Sequence, residues 1–203
     1  MTLLTESFLT EKADTLMSRD YRARIFSKSN LAKSILTEST EAFNAQTSYD
    51  IFLSHSYIDK ILILGLKAFI EESGFSVYID WIEDKQLERS LISSKTASVL
   101  RTRMNSCKVL FFATSENSTQ SKWMPWECGY MDAKTNRVAI CPIIKGQNHS
   151  FKGQEYLGLY PFVDYAPPKD TSTNIIWIND PNNSNYYSSL RNWIIDGKLN
   201  RHD

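Results

Sequence analysis

Cysteine, histidine and glycine are all scarce in this chain of 203 residues, and each shortage excludes a class of function. The three cysteines, Cys107, Cys128 and Cys141, are odd in number and far apart, which argues for reduced thiols in a cytosolic protein rather than a disulfide frame or a zinc site. The three histidines, His55, His149 and His202, lack metal-ligand spacing, so no His-built metal centre is expected. With seven glycines, no Gly-rich phosphate loop follows the first strand-like run, and neither nucleotide fingerprint built on glycine is present. Charge of one sign is missing too: 23 Lys and Arg face 23 Asp and Glu, which is not the basic footprint of a duplex-binding protein. No apolar run approaches membrane-spanning length. Met1-Thr-Leu-Leu-Thr-Glu6 lacks both a basic start and a long apolar stretch, so neither a membrane partner nor a signal peptide is expected.

What the chain does have is an ordinary apolar share, 42%, enough for a true core in one domain with appendages or a modest domain plus a small one. Residues 1–47 carry Met17, Tyr21 and Ile25, then Leu31 and Ile35, at four-residue steps among balanced charges, which predicts one or two amphipathic helices. From Tyr49 onward the pattern changes. Tyr49-Asp-Ile-Phe-Leu53 reads as a short strand ending in Ser54-His55-Ser56. Residues 57–73 fit a helix that Gly74 closes with a left-handed cap. Ser76-Val-Tyr-Ile79 is a second strand, stopping at Asp80-Trp81, and a polar loop leads to a helix near 94–106. Residues 108–113 form a third strand, a helix carries Glu127, and Val138–Ile144 is a fourth strand. Strand followed by helix at a spacing of about thirty residues predicts βα units and a parallel sheet. Beyond Ile144, 145–158 reads as loop, Tyr160–Val163 and Ile175–Ile178 as short strands, and 185–196 as a terminal helix with Tyr187, Leu190, Trp193 and Ile194 inward.

Ligands of an open parallel sheet bind beyond the carboxyl ends of its strands, and here those ends are polar: Ser54-His55-Ser56, Asp80-Trp81 and Thr114-Ser115-Glu116-Asn117. Behind the third lies Trp123-Met-Pro-Trp-Glu127. Ser121 suits an N-cap and Pro125 a first turn, so Trp123 and Glu127, four apart, share one helix face. The plainer reading makes Trp123 core, Glu127 solvated and the tips mere caps and turns. Convergence of three polar tips on one carboxylate favours a site. His55 has no nucleophile partner in the pattern and reads first as a turn residue. Cys128 points about 100° away from Glu127 and reads as core, while Glu83-Asp84 reads as solvated charge.

These segments resemble the Toll/interleukin-1 receptor (TIR) domain in its bacterial, enzymatic, antiphage (Thoeris-like) form. Tyr49-Asp-Ile-Phe-Leu-Ser-His-Ser56, Val77-Tyr-Ile-Asp80 and Ser121-Lys-Trp-Met-Pro-Trp-Glu127 match three of its motifs in order, over about residues 48–165. Trp81-Ile-Glu-Asp-Lys-Gln86 departs from the family, lacking the Pro-Gly pair of many relatives. The resemblance implies an α/β, flavodoxin-like parallel sheet of about five strands flanked by helices, with a helical extension at 1–47 and the TIR domain with its C-terminal helix at 48–203. It further implies a cytoplasmic NAD⁺ glycohydrolase or cyclase, with Glu127 catalytic and Ser54, His55, Asp80, Trp81 and Trp123 on the substrate wall. No metal and no cofactor beyond NAD as substrate are expected. Its product, ADP-ribose or a cyclic isomer, would act on a signal-responsive effector, and TIR–TIR self-association is the expected assembly. Two alternatives stand beside this reading, a non-catalytic TIR adaptor and a nucleoside deoxyribosyltransferase-like enzyme.

Overall fold

The computed structural model describes residues 2–42, 48–80, 94–146 and 155–202. The chain opens with a two-residue strand, β1 (Leu4–Thr5), and two helices, α1 (Glu6–Ser18) and α2 (Lys28–Glu41). Next come β2 (Tyr49–Ser54), α3 (Lys60–Glu72), β3 (Val77–Ile79), α4 (Ser94–Asn105), β4 (Cys107–Thr114), α5 (Met124–Thr135) and β5 (Val138–Ile144). The last part holds β6 (Phe162–Ala166), β7 (Ile175–Asn179), β8 (Tyr186–Ser189), α6 (Leu190–Asp196) and β9 (Asn200–Arg201).

Among the described residues one sheet of nine strands runs β3-β2-β4-β5-β6-β7-β8-β9, with β1 beside β5. The first five strands in that row are parallel and the rest antiparallel. The parallel part therefore has the flavodoxin-like order, and its direction of winding reverses between β2 and β4. The expected sheet of about five parallel strands is present, extended by an antiparallel run.

Alternation along the strands divides two cores. Ile51 and Leu53 of β2, Val109 and Phe111 of β4, and Ala139 and Cys141 of β5 face α1, α2, α3 and α6. Phe52, Leu110, Phe112 and Ile140 face the opposite way, against Leu100 and Met104 of α4 and Met124, Cys128 and Met131 of α5. Covering both faces is what lets these strands be almost continuously apolar. The amino-terminal segment contributes to the first core. Leu4 and Leu9 are fully buried, and β1 pairs with the end of β5 in the register Leu4↔Ile143. Helices α1 and α3 meet so closely that a Cβ on Gly65 would lie 1.9 Å from the Leu9 carbonyl oxygen, which requires glycine there.

Three sequence expectations change. The four-residue stripe through Met17, Tyr21 and Ile25 is not one face, because α1 stops at Ser18 and Tyr21–Arg24 turns as a 3₁₀ helix; Tyr21 is 81% exposed. The terminal helix begins at Leu190, not 185. Tyr186–Ser189 pairs antiparallel with β7, and the Ser189 hydroxyl then caps α6 by accepting from the Asn192 amide at 3.4 Å. Leu190, Trp193 and Ile194 are buried as expected, whereas Tyr187 lies on the strand, stacked on His202. The fifth parallel strand starts at Phe162, two residues later than its apolar run suggests, since Pro161 precedes it and cannot donate to the ladder. Gly74 adopts the expected left-handed conformation, at φ +84°.

Candidate active site

Strand β2 ends where the sheet reverses its winding, and Ser54 is its last residue, paired in register with Phe112 of β4. Its side chain points to the α5 face, as Phe52 does two residues earlier. Helix α5 begins beyond the tip of β4. The N-cap is Trp123, with no side-chain cap bond, and not Ser121 as expected; the Ser121 hydroxyl still accepts from the Met124 amide at 3.3 Å, and Pro125 lies in the first turn. The Glu127 amide donates to the Trp123 carbonyl at 2.8 Å, which places the two residues one helical turn apart.

At this junction Ser54 Oγ donates to Glu127 Oε2 at 2.5 Å, across 73 residues of sequence. Both residues are 1% exposed. A carboxylate so far from water needs hydrogen-bond donors to stay ionised, and Ser54 provides one. Trp123 is buried in the same core and lies edge-on to Trp126, ring centres 5.5 Å apart; Trp126 in turn stacks on Tyr130. The indole thus closes off the apolar side of the first turn of α5.

The other anticipated residues spread around this pair. His55 is buried next to Ser54, with Nδ1 2.9 Å from the Leu53 carbonyl. A carbonyl only accepts, so the proton is on Nδ1 and the ring orientation is tied to the strand end. Asp80, at the tip of β3, is buried and engaged by the Arg103 guanidinium of α4, while the Tyr78 hydroxyl donates to it at 3.1 Å. Trp81 and the Glu83-Asp84 pair lie outside the described residues. Cys128 is core: burial pushes its thiol up to about 11 and makes it a poor nucleophile at neutral pH.

Sequence reasoning named the polar tip at 114–117 but missed Asp59, its partner, and Arg103. Asp59, just after the β2 tip, accepts from the Ser115 hydroxyl and from Asn117 Nδ2 at 2.7 Å. This ties the loop after β2 to the loop after β4 across the reversal. Beside it a hollow of about 550 Å³ opens among Tyr57, Asp59, Lys60, Asn117 and Lys145. Arg103 was likewise invisible as a partner of Asp80. The polar run at 114–117 was the available signal for Ser115 and Asn117; Asp59 and Arg103 had none, because their partners are set by packing. Among the described residues no group of three or more His, Cys, Asp or Glu could hold a metal ion, and no helix is long and apolar enough to cross a membrane.

No protein-family model matches the chain. Over 195 residues, covering 96% of this chain and 98% of the relative, it is 48% identical to the "Probable 3' cyclic ADP-D-ribose synthase ThsB'" of Bacillus cereus (strain MSX-D12). Over 114 residues it is 33% identical to the "Putative cyclic ADP-D-ribose synthase TIR2" of Cytobacillus dafuensis, covering 48% of this chain and 30% of that protein.

Proposed function

The chain belongs to the bacterial TIR-domain family of cyclic ADP-D-ribose synthases, and from that premise we propose that it cleaves NAD⁺ at the nicotinamide–ribose bond and releases ADP-ribose or a cyclic isomer as an antiphage signal. The observation that carries the proposal is the hydroxyl–carboxylate pair of Ser54 and Glu127 at the point where the sheet reverses its winding.

One carboxylate suffices for this chemistry. Glycosidases use two, because one must protonate the departing oxygen. Nicotinamide leaves NAD⁺ as a neutral molecule and needs no acid. What forms is an oxocarbenium-like ribose, and the negative charge of Glu127 stabilises it more than it stabilises the bound substrate. The buried indole of Trp123 keeps that charge in apolar surroundings. The attacking group then decides the product: water gives ADP-ribose, and another atom of the same nucleotide gives a cyclic form.

With Glu127 at 1% exposure, NAD⁺ reaches the carboxylate only after its cover moves. That supports an enzyme of low activity as a dilute single chain, switched on by TIR–TIR association, with the product acting on a separate effector. Three unbridged thiols fit a reducing cytoplasm. The same burial is the one observation that favours a second reading, a non-catalytic adaptor in which Glu127 is structural. Incubating the protein with NAD⁺ and with deoxynucleosides, at nanomolar and micromolar concentration, and identifying products by mass and chromatography tests both. NAD⁺ cleavage that rises in specific activity with concentration is expected. No product from NAD⁺ at any concentration leaves the adaptor, and turnover of deoxynucleosides alone leaves the deoxyribosyltransferase-like enzyme.

A further inference from the structure

We propose that Ser54 is a positioning residue: its hydroxyl holds the Glu127 carboxylate ionised and fixed in direction. This rests on the reading of Glu127 as the catalytic carboxylate.

The hydrogen inventory supports it. A carboxylate can only accept, so in the 2.5 Å contact the serine is the donor. A hydroxyl has a single proton, and Ser54 directs it at Glu127, so it has none left to donate to a phosphate.

Rigidity comes from both sides. Ser54 ends a strand paired on one edge to β4, with Ser54 opposite Phe112, and on the other to β3, with Leu53 opposite Ile79. Glu127 is held in the first turn of α5 by the hydrogen bond its backbone N–H donates to the Trp123 carbonyl. A bond between two such fixed elements sets the plane of the carboxylate before substrate arrives, which is the condition for a preorganised charge. Only the ionised form stabilises an oxocarbenium.

The test compares Ser54→Ala, Ser54→Cys and Ser54→Thr with the native chain in NAD⁺ cleavage, with kcat and KM measured across the acid and neutral range. Losing a hydrogen bond to a charged group predicts that Ser54→Ala lowers kcat about ten- to hundredfold. KM should stay within about threefold of native, and the acid limb of the kcat profile should move to higher pH. The Cys variant, a weaker donor, should fall between. The Thr variant, which keeps the hydroxyl, should recover most of the rate and the native limb. Among the described residues the other titratable groups of the surrounding elements are the same in every variant: His55 on the β2 tip, Cys128 on α5, Asp80 and Arg103 at the β3 tip and on α4. A limb that moves in the Ala variant and returns in the Thr variant reports on the lost hydroxyl.

A raised KM with native kcat and pH profile would make Ser54 a substrate contact and overturn the proposal, as would native kinetics in the Ala variant. Glu127→Gln separates the two levels. If it is inactive while Ser54→Ala behaves as native, only the role of Ser54 is wrong. If it turns over NAD⁺ normally, the catalytic reading itself has failed and the positioning role goes with it.

Discussion

Glu127→Gln removes one charge and changes almost nothing else, so its effect can be worked out from the site. An oxocarbenium centre about 4 Å from the carboxylate, at an effective dielectric constant near 20, is stabilised by about 4 kcal/mol. That is on the order of a thousandfold in rate, in line with the loss of a preorganised electrostatic partner in other enzymes, about 3–4 kcal/mol. Burial of both Ser54 and Glu127 keeps water from screening the charge. The fold should tolerate the change, because the amide oxygen of glutamine can accept the Ser54 hydrogen bond in place of Oε2. The assay is initial-rate NAD⁺ cleavage beside a thermal melt of the same preparations. Glu116→Gln is the control: Glu116 pairs with Lys145 at 2.6 Å in an exposed contact, and such pairs are worth at most about 1 kcal/mol. A hundredfold or greater loss in Glu127→Gln, with melting within a few degrees of native and Glu116→Gln near native, is expected. Near-native turnover in a normally folded Glu127→Gln protein would refute the reasoning and leave the adaptor.

Further outcomes can be read from the packing and titration of other residues. Gly65→Ala forces a Cβ against the Leu9 carbonyl, and should destabilise by about 1–3 kcal/mol, visible as a lower Tm; an unchanged Tm would mean α1 is not seated on α3 in solution. Asp164 is buried on β6, and burial pushes its carboxyl up, against the opposing hydrogen bond with Asn179. A raised folded value favours the fold while the group is protonated, and that contribution is lost as pH rises through it. Asp164→Asn should therefore melt higher than native at neutral pH, with the difference closing on acidification toward about pH 4, the ordinary carboxyl range; a gap that widens in acid would reverse the assignment.

The sequence by itself determined most of the parallel sheet. The short apolar run in Tyr49–Ser54 and the near-continuous apolar runs at 107–114 and 138–144 are local properties, imposed by strands that must bury both faces. The helix signals at Ser121, Pro125 and Gly74 are equally local, since a cap or a left-handed turn is a demand on a few adjacent residues. The polar strand tips could be read because the carboxyl ends of a parallel sheet are where its ligands bind. Tertiary structure alone decided the rest. Residues 186–189, Tyr-Tyr-Ser-Ser, carry no local signal that separates strand from helix, and pairing with β7 makes them a strand. Asp80 could have faced a cleft as easily as it meets Arg103, because the aspartate's sequence context does not specify which helix packs beside it. The bond from Ser54 to Glu127 spans 73 residues and exists because β2 lies between β3 and β4 and α5 crosses the same face. Periodicity says which side of a strand a residue occupies; which group waits on that side depends on the order of the strands.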